Sequence, residues 1–263
     1  MADPCPKRAE SLPCEPLNRV WLTGADWKVE RAYAVCTCGT RFGIGAAKDR
    51  WREHQAALRP LRPSAVLDAE ALGHELDAVP AADRRVPHAA PGVVPVGQPV
   101  IHTAGAWVDA ADPRISDLAG HMRAVMDAAP GIGLAANQVG VRIRVIALNF
   151  ADVVPPVWVN PVLIAAEGRW TYPEGCLSLV VEGTTVDVVR PARVTVAADL
   201  PGGGGVIVEA DELLARVIQH ELDHLEGIEY VQRLDEETRA DVDALLTAEG
   251  IDPDLLPPTP YEG

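Results

Sequence analysis

The sequence lacks any apolar run that approaches the roughly 20 residues of a membrane-spanning helix. Its first ten residues mix charged residues with proline and alanine, a composition unlike that of a secretory signal peptide. Aromatic residues make up only 5% of the 263 residues, whereas 48% are hydrophobic, which suffices for one sizeable core with or without an appendage. We therefore expect a soluble cytoplasmic protein.

Cysteine is scarce and odd in number, with five residues at uneven spacing: Cys5, Cys14, Cys36, Cys38 and Cys176. A disulfide framework needs paired cysteines in an oxidising compartment, so this pattern argues against one. In a reducing compartment the thiols are available to bind metal.

The formal charge of −15 is distributed unevenly along the chain. Residues 1–62 hold 11 basic and 7 acidic residues, a charge of +4, while the remainder holds 12 basic and 31 acidic residues, a charge of −19. A basic N-terminal unit on an acidic body suggests contact with RNA or the ribosome. The alternative is a mildly basic surface that is only solvated.

Composition divides the chain into four parts. Residues 1–62 form a small cysteine-containing module, and residues 63–92, rich in alanine and proline, form a linker. Residues 93–250 have the pattern of a compact domain, and residues 251–263 form a C-terminal tail.

Hydrophobic periodicity predicts helices and strands in irregular order. Asp112-Pro113 is typical of a helix N-terminus, and apolar residues follow at helical spacing: Ile115, Leu118, Met122, Val125 and Met126. Further helices are predicted over 64–79 with Ser64 as N-cap, 211–226 and 235–246. Strands are predicted over 142–149, 157–164, 186–189, 193–197 and 206–209. Because strands and helices do not alternate, an α+β fold is favoured over a doubly wound sheet.

The strongest chemical signal is an H-E-x-x-H pattern, His220 to His224, inside a predicted helix. Residues four apart lie on one helical face, so both imidazoles can bind one metal ion, and Glu221 can reach a water molecule beside it. A metzincin would supply its third histidine at position 230, but Tyr230 stands there. Cys176 is the best remaining candidate ligand, although a lone cysteine is more often an inert buried residue.

Three segments in order resemble the motifs of peptide deformylases: G-I-G-L-A-A-N-Q at 131–138, E-G-C-L-S at 174–178 and Q-H-E-L-D-H at 219–224. The resemblance covers about residues 93–234. It implies an α+β, peptide-deformylase-like fold with antiparallel or mixed sheets around a central metal-binding H-E-x-x-H helix. It also implies an enzyme that removes the formyl group from N-formylmethionine of nascent proteins and releases formate.

The resemblance implies roles for individual residues as well. One divalent metal ion, natively Fe²⁺ and often Zn²⁺ or Ni²⁺, would be held by Cys176, His220 and His224. Glu221 would be the general acid/base, and the Gln138 side chain and the Leu177 N–H would stabilise charge on the formyl oxygen. Gly133 matches a position where the substrate backbone pairs with the enzyme.

One segment departs from the family pattern. Members commonly continue C-L-S with a hydrophobic residue, proline and often glycine, whereas residues 179–183 are L-V-V-E-G. Because this segment should border the substrate groove, a paralogue acting on another N-acyl compound is an alternative. A docking protein whose N-terminal module targets RNA or the ribosome is another.

A second metal site is a further hypothesis, for the N-terminal module. The C-T-C-G sequence at 36–39 would form a hairpin turn ahead of a helix that carries His54. Cys36, Cys38 and His54 could then bind zinc, with Cys5 or Cys14 as a fourth ligand. The C-x-C spacing differs from the usual C-x₂-C, so the alternative is two cysteines packed in a small core.

Overall fold

A computed structural model describes residues 66–259, apart from 78, 80, 82–83, 151–152 and 154–155, and the backbones of three strands at 16–23, 29–36 and 41–43. The hypothetical zinc ligands Cys38 and His54 lie outside the described residues, and Cys36 is the last residue of a strand whose side chains are not described. No helix of the described residues is both long and apolar enough to span a membrane.

The main sheet has eight strands among the described residues: β1 (Pro16–Thr23), β2 (Val29–Cys36), β3 (Arg41–Gly43), β4 (Gly133–Ala135), β5 (Val145–Leu148), β6 (Val157–Glu167), β9 (Arg193–Asp199) and β10 (Gly205–Asp211). Their order is β3-β2-β1-β10-β9-β6-β5-β4, and every neighbouring pair is antiparallel. The predicted hairpin of the N-terminal unit is confirmed by the pairing of β2 with β3. Strand β1 joins this unit to the rest of the sheet through β10.

A second sheet and four helices complete the described fold. Strands β7 (Trp170–Glu174) and β8 (Val186–Arg190) pair antiparallel. The helices are α1 (Ala69–Leu76), α2 (Pro113–Ala128), α3 (Glu212–Leu225) and α4 (Glu236–Ala248). Helices and antiparallel sheets occur together, so the predicted α+β class is confirmed.

Helix α2 begins where the sequence predicted. The Asp112 carboxylate accepts a hydrogen bond from the Arg114 N–H, and Pro113 occupies the first helical position, where its missing N–H costs nothing. All five apolar residues predicted for its inner face are buried. They share one hydrophobic core cluster with Leu134 and Ala136 of the glycine-rich segment at 131–138, and so support that segment.

Helix α3 is the central element. Its apolar face is buried against the main sheet through Leu214, Ala215, Ile218 and Leu225. Gly227 ends the helix with φ of 75°, a conformation that favours glycine. A Cβ at this position would lie 2.6 Å from the carbonyl carbon of His102, so the close approach also requires glycine.

Three local predictions were wrong or incomplete. The helix in the predicted linker begins at Ala69, and its N-cap is Asp68 rather than Ser64, because the Asp68 carboxylate accepts from the Glu70 and Ala71 N–H groups. Strands β4 and β7 were not predicted at all.

The predicted linker contacts the E-G-C-L-S segment at 174–178 and the residues that follow it. Leu72 of α1 is buried in the core. The Ala90 N–H donates to the Leu177 carbonyl at 2.8 Å, and the His88 carbonyl accepts from the Val180 N–H at 2.8 Å. Residues 66–92 therefore help to hold the segment around Cys176. The domain boundaries themselves remain a prediction.

Candidate active site

Three side chains meet at one point, two from α3 and one from the turn after β7. Helix α3 presents His220 and His224 one turn apart, and Cys176 reaches them from the turn that follows β7. The ligand-type atoms of these residues all lie within 4.8 Å of one another. The Cys176 Sγ lies 3.3 Å from His224 Nε2. The structure thus brings together the three residues that the sequence singled out as metal ligands.

The surroundings of these side chains fit a divalent cation. Glu221 Oε2 and Glu229 Oε2 are buried and have no hydrogen-bond partner among the described residues. Burial, with a smaller contribution from Glu229, raises the pKa of the Cys176 thiol. Burial lowers the pKa of His224, which keeps its imidazole neutral as a metal ligand must be. The ionised forms of these buried groups need a positive charge beside them, and two nitrogens with one sulfur suit a borderline-soft ion.

Glu174 holds the first histidine. Its Oε2 lies 3.0 Å from His220 Nδ1, so the other ring nitrogen is left to face the site. Arg190 donates to both Glu174 oxygens, at 2.6 and 2.9 Å, and Arg216 also pairs with this carboxylate. Burial opposes ionisation of Glu174, but Arg190 and His220 nevertheless hold its pKa below the ordinary value.

A buried ion network continues from Glu174 along α3. The Arg190 guanidinium, which is fully buried, also donates to Asp223 at 2.7 Å. Asp223 in turn accepts from Arg233, which follows α3 in the chain. The network ties β8, α3 and the segment after it together, and thereby limits movement of the helix that carries both histidines.

Glu221 is buried between the histidines and β4. A Cβ at Gly133 would overlap its carboxylate and would lie 2.6 Å from Val217 Cγ1. Only a glycine at this point allows Glu221 to lie against the strand. Burial is the main cause that raises the pKa of Glu221 to about 7, with His220 opposing the rise and Glu229 adding to it. A carboxyl group with such a pKa can both accept and donate a proton near neutral pH.

Gln138 and Leu177 flank the cysteine. Gln138 Oε1 accepts from the Ala135 N–H at 2.8 Å, which directs its Nε2 toward Cys176 Sγ, 3.5 Å away. The Leu177 N–H donates to no acceptor within the described part of the chain. The Gln138 Nε2, which also donates to Ser178 Oγ at 3.3 Å, and the Leu177 N–H therefore both lie beside Cys176.

A cleft of about 490 Å³ is lined by most of these residues, among them Cys176, His220 and Glu221, while His224 is buried behind it. Gly133 lies on one wall, in β4, which pairs with β5 on one side and is the last described strand of the main sheet. Three exposed apolar side chains line the same cleft: Ile132, Tyr172 and Val180, with 44%, 39% and 55% of their surface accessible. Exposed apolar side chains gathered at one cleft are typical of a binding site.

Sequence reasoning assigned no role to Glu174, Arg190 or Glu229. Glu174 stands in the quoted E-G-C-L-S motif, two residues before Cys176, so its position offered a signal. Arg190 and Glu229 carried none, because their contacts with the site depend on pairings that only the fold defines.

The part of the chain that holds these residues matches a known protein family. The profile of the family described as polypeptide deformylase matches residues 91–240. A peptide deformylase of Neisseria meningitidis is 44% identical over 136 residues, which are 51% of this chain and 80% of the relative. A peptide deformylase of Desulfitobacterium hafniense is 39% identical over 147 residues, 56% of this chain and 96% of the relative.

Solved structures agree with the sequence relatives. A peptide deformylase from Synechococcus elongatus, in complex with actinonin, superposes with a TM-score of 0.58 at 30% identity, covering 68% of this chain and 97% of that one. A peptide deformylase from Ehrlichia chaffeensis gives a TM-score of 0.52 at 30% identity, covering 60% and 95%.

Proposed function

This chain belongs to the peptide deformylase family, and from that premise we propose that it removes the formyl group from N-formylmethionine at the N-terminus of nascent proteins in the cytoplasm, releasing formate. One observation carries the proposal. The ligand-type atoms of Cys176, His220 and His224 converge next to a cleft that Cys176, His220 and Glu221 line.

Cys176, His220 and His224 would hold the metal ion of the site. When bound, a divalent ion supplies the positive charge that activates water and polarises a carbonyl oxygen. We propose Fe²⁺ as the native ion, with Zn²⁺ or Ni²⁺ as replacements, because one thiolate and two imidazoles suit ions of intermediate softness.

Glu221 would move the proton. Its carboxylate accepts a proton from the attacking water as the water oxygen bonds to the formyl carbon. The C–N bond then breaks, Glu221 returns the proton to the departing amine, and formate leaves with the water oxygen. The buried position of Glu221 supports this role, because burial brings its pKa to about 7.

Gln138 and Leu177 would stabilise the formyl oxygen. Negative charge develops on this oxygen as the formyl carbon becomes tetrahedral, and N–H groups placed beforehand lower its free energy. The Gln138 Nε2 lies beside Cys176, and the Leu177 N–H has no acceptor in the described residues, so both can donate there.

The β4 edge and the apolar wall would bind the peptide. An extended peptide can pair with the free edge of a terminal strand, here at Gly133. Ile132, Tyr172 and Val180 would contact the methionine side chain. Val180 belongs to the atypical segment after Ser178, so the same wall would decide between formylmethionine and another N-acyl group.

The substrate test compares three compounds at equal concentration: formyl-Met-Ala-Ser, formyl-Gly-Ala-Ser and acetyl-Met-Ala-Ser. We expect formate from the first at the highest kcat/KM, a lower value for the second because it offers no side chain to the apolar wall, and no hydrolysis of the third. Equal rates on both formyl peptides would favour the alternative that this chain is a paralogue acting on another N-acyl compound. Preference for the acetyl peptide would exclude deformylation as the main activity.

We further propose that residues 1–62 bring the enzyme to the ribosome or to RNA. The support is their charge of +4, against −19 for the rest of the chain. Binding through phosphate contacts weakens steeply with salt, because counterions are released on association. Co-sedimentation of the full chain with ribosomes should therefore fall between low and high salt. Absence of co-sedimentation at low salt would refute the docking role and leave the catalytic one intact.

A further inference from the structure

The two histidines of the site differ in what contacts their outer nitrogen. His220 Nδ1 lies 3.0 Å from Glu174 Oε2, whereas His224 Nδ1 is buried without a hydrogen-bond partner among the described residues. A metal-binding histidine almost always donates this N–H to an oxygen, since the bond selects the tautomer and aims the other nitrogen at the ion. His224 therefore requires an acceptor from its surroundings.

Glu229 provides a carboxylate at this point. Its Oε1 lies 3.6 Å from His224 Nδ1 and 3.9 Å from Cys176 Sγ. The side chain is completely inaccessible to solvent, and its Oε2 has no partner in the described part of the protein. Both unsatisfied groups are strongly unfavourable in a buried site. A small rotation of the Glu229 side chain would shorten the 3.6 Å separation between Oε1 and His224 Nδ1 into a hydrogen bond and so satisfy the buried imidazole nitrogen.

The backbone holds Glu229 under the end of α3. After the turn at Gly227, the Ile228 N–H donates to the Asp223 carbonyl at 2.9 Å. The Glu229 N–H donates to Gln232 Oε1 at 2.8 Å, and the Glu229 carbonyl accepts from the Gln232 N–H at 2.9 Å. These bonds fix the main chain on both sides of Glu229, so its side chain stays beside His224.

Glu229 also differs from Glu174 in how its charge is offset. Glu174 pairs with Arg190 and Arg216, whereas no lysine or arginine pairs with Glu229 within the described residues. The charge of Glu174 is thus already compensated by the protein. The charge of Glu229, like that of the Cys176 thiolate beside it, is compensated only when a cation occupies the site, which favours divalent over monovalent ions.

We propose that Glu229 is a positioning residue for the metal site: it accepts the His224 Nδ1–H, directs His224 Nε2 toward the ion, and strengthens binding of a divalent cation through its own charge. Each histidine then has its own carboxylate, Glu174 for His220 and Glu229 for His224. Glu229 acts through His224 and does not touch the substrate. This inference rests on the proposed metal-dependent function and adds a residue outside its ligand set.

The test measures Zn²⁺ affinity of the full-length chain by competition with a chromophoric chelator. Glu229→Leu should weaken binding by about 10- to 100-fold, the usual effect of losing such a partner. Glu229→Gln should weaken it less, since an amide oxygen still accepts the N–H but carries no charge. The matched control is Glu226→Gln, which removes the charge of a half-exposed glutamate paired with Arg144 at the same helix end. This control should bind Zn²⁺ as the wild type does.

A second readout separates positioning from a merely structural role. In the metal-free protein Glu229 Oε2 is buried without a hydrogen-bond partner among the described residues, so Glu229→Leu should leave the melting temperature unchanged or raise it. In the Zn²⁺-loaded protein, the Nδ1–H proton of His224 should give a downfield NMR resonance that shifts in Glu229→Gln.

Two results would overturn the proposal. The first is a Glu229→Leu variant that binds Zn²⁺ as tightly as the wild type does. The second is a Glu229→Leu variant whose metal-free melting temperature falls as much as it would on truncation of a buried apolar side chain. Failure of the wild type itself to bind one ion per chain would instead overturn the proposed function on which the inference rests.

Discussion

Glu221 occupies a tightly confined position in the site. It lies between Gly133 and the two histidines, in a space that a single methyl group on Gly133 would fill. The residue is therefore held where it can transfer a proton, and it is not one of the three groups that converge as ligands. Metal binding and proton transfer should accordingly be separable by substitution.

We expect Glu221→Ala to keep its metal content and to lose kcat by about 10²- to 10⁴-fold, the usual contribution of a positioned general acid/base. Metal analysis and formate release on the same sample check both halves. Normal turnover at full metal occupancy would remove Glu221 from the mechanism.

Gln138 allows a different kind of test. Its Nε2 is assigned to charge that is present mainly in the transition state, so Gln138→Leu should lower kcat much more than it raises KM. The loss should be about 2–4 kcal/mol of transition-state stabilisation, as for other donors of this kind. Steady-state kinetics on a formyl-Met tripeptide measure the two constants, and a change in KM alone would make Gln138 a ground-state contact.

At the scale of elements, the position of α3 depends on the buried ion network. Arg190 pairs with both Glu174 and Asp223, so Arg190→Met would leave two buried carboxylates without it. We expect a loss of about 3–5 kcal/mol in the free energy of unfolding, measured by urea denaturation. Arg193→Met is the control, because Arg193 and its partner Glu167 are both about two-thirds exposed and such pairs contribute about 0–1 kcal/mol. Equal losses in the two variants would contradict this role of the network.

The elements also show what the sequence could predict. Helix α2 was predicted with its cap and its five buried residues, because a cap and a helical period are local signals. Strand β7 was not predicted, because most of Trp170–Glu174 is exposed and the segment contains Pro173. Strand β4 was not predicted either, because it has only three residues within a glycine-rich segment. The ligand set was predicted from motifs. Glu174 and Glu229 were not given roles, because their proximity to the histidines depends on the paths of β7 and of the turn after Gly227.

For the whole molecule, the main question is how far the catalytic unit extends toward the N-terminus. Residues 66–92 contribute Leu72 to the core, and Glu75 pairs with Arg142 at 2.6 Å. Ala90 and His88 bond to the segment that follows Cys176. The catalytic unit therefore draws support from residues that composition alone assigns to a linker.

We expect a chain starting at residue 66 to keep its deformylase activity on tripeptides, and a chain starting at residue 93 to melt at a lower temperature and to lose activity. The reason is that the shorter chain lacks the hydrogen bonds to Leu177 and Val180. Thermal melts and formate release of the two chains, with the full-length protein as reference, check this. Equal stability and activity would show that residues 63–92 are a linker only.

The most direct test of the proposed function is formate release from formyl-Met-Ala-Ser by anaerobically purified protein, with the metal content determined on the same sample and Cys176→Ser measured in parallel. We expect one divalent ion per wild-type chain and one formate for each free methionine N-terminus produced. We also expect a strong loss of both metal and activity in Cys176→Ser, because a hydroxyl is a far poorer ligand than a thiolate for such ions. A wild-type protein with full metal and no formate release, or an undiminished Cys176→Ser variant, would contradict the proposed function.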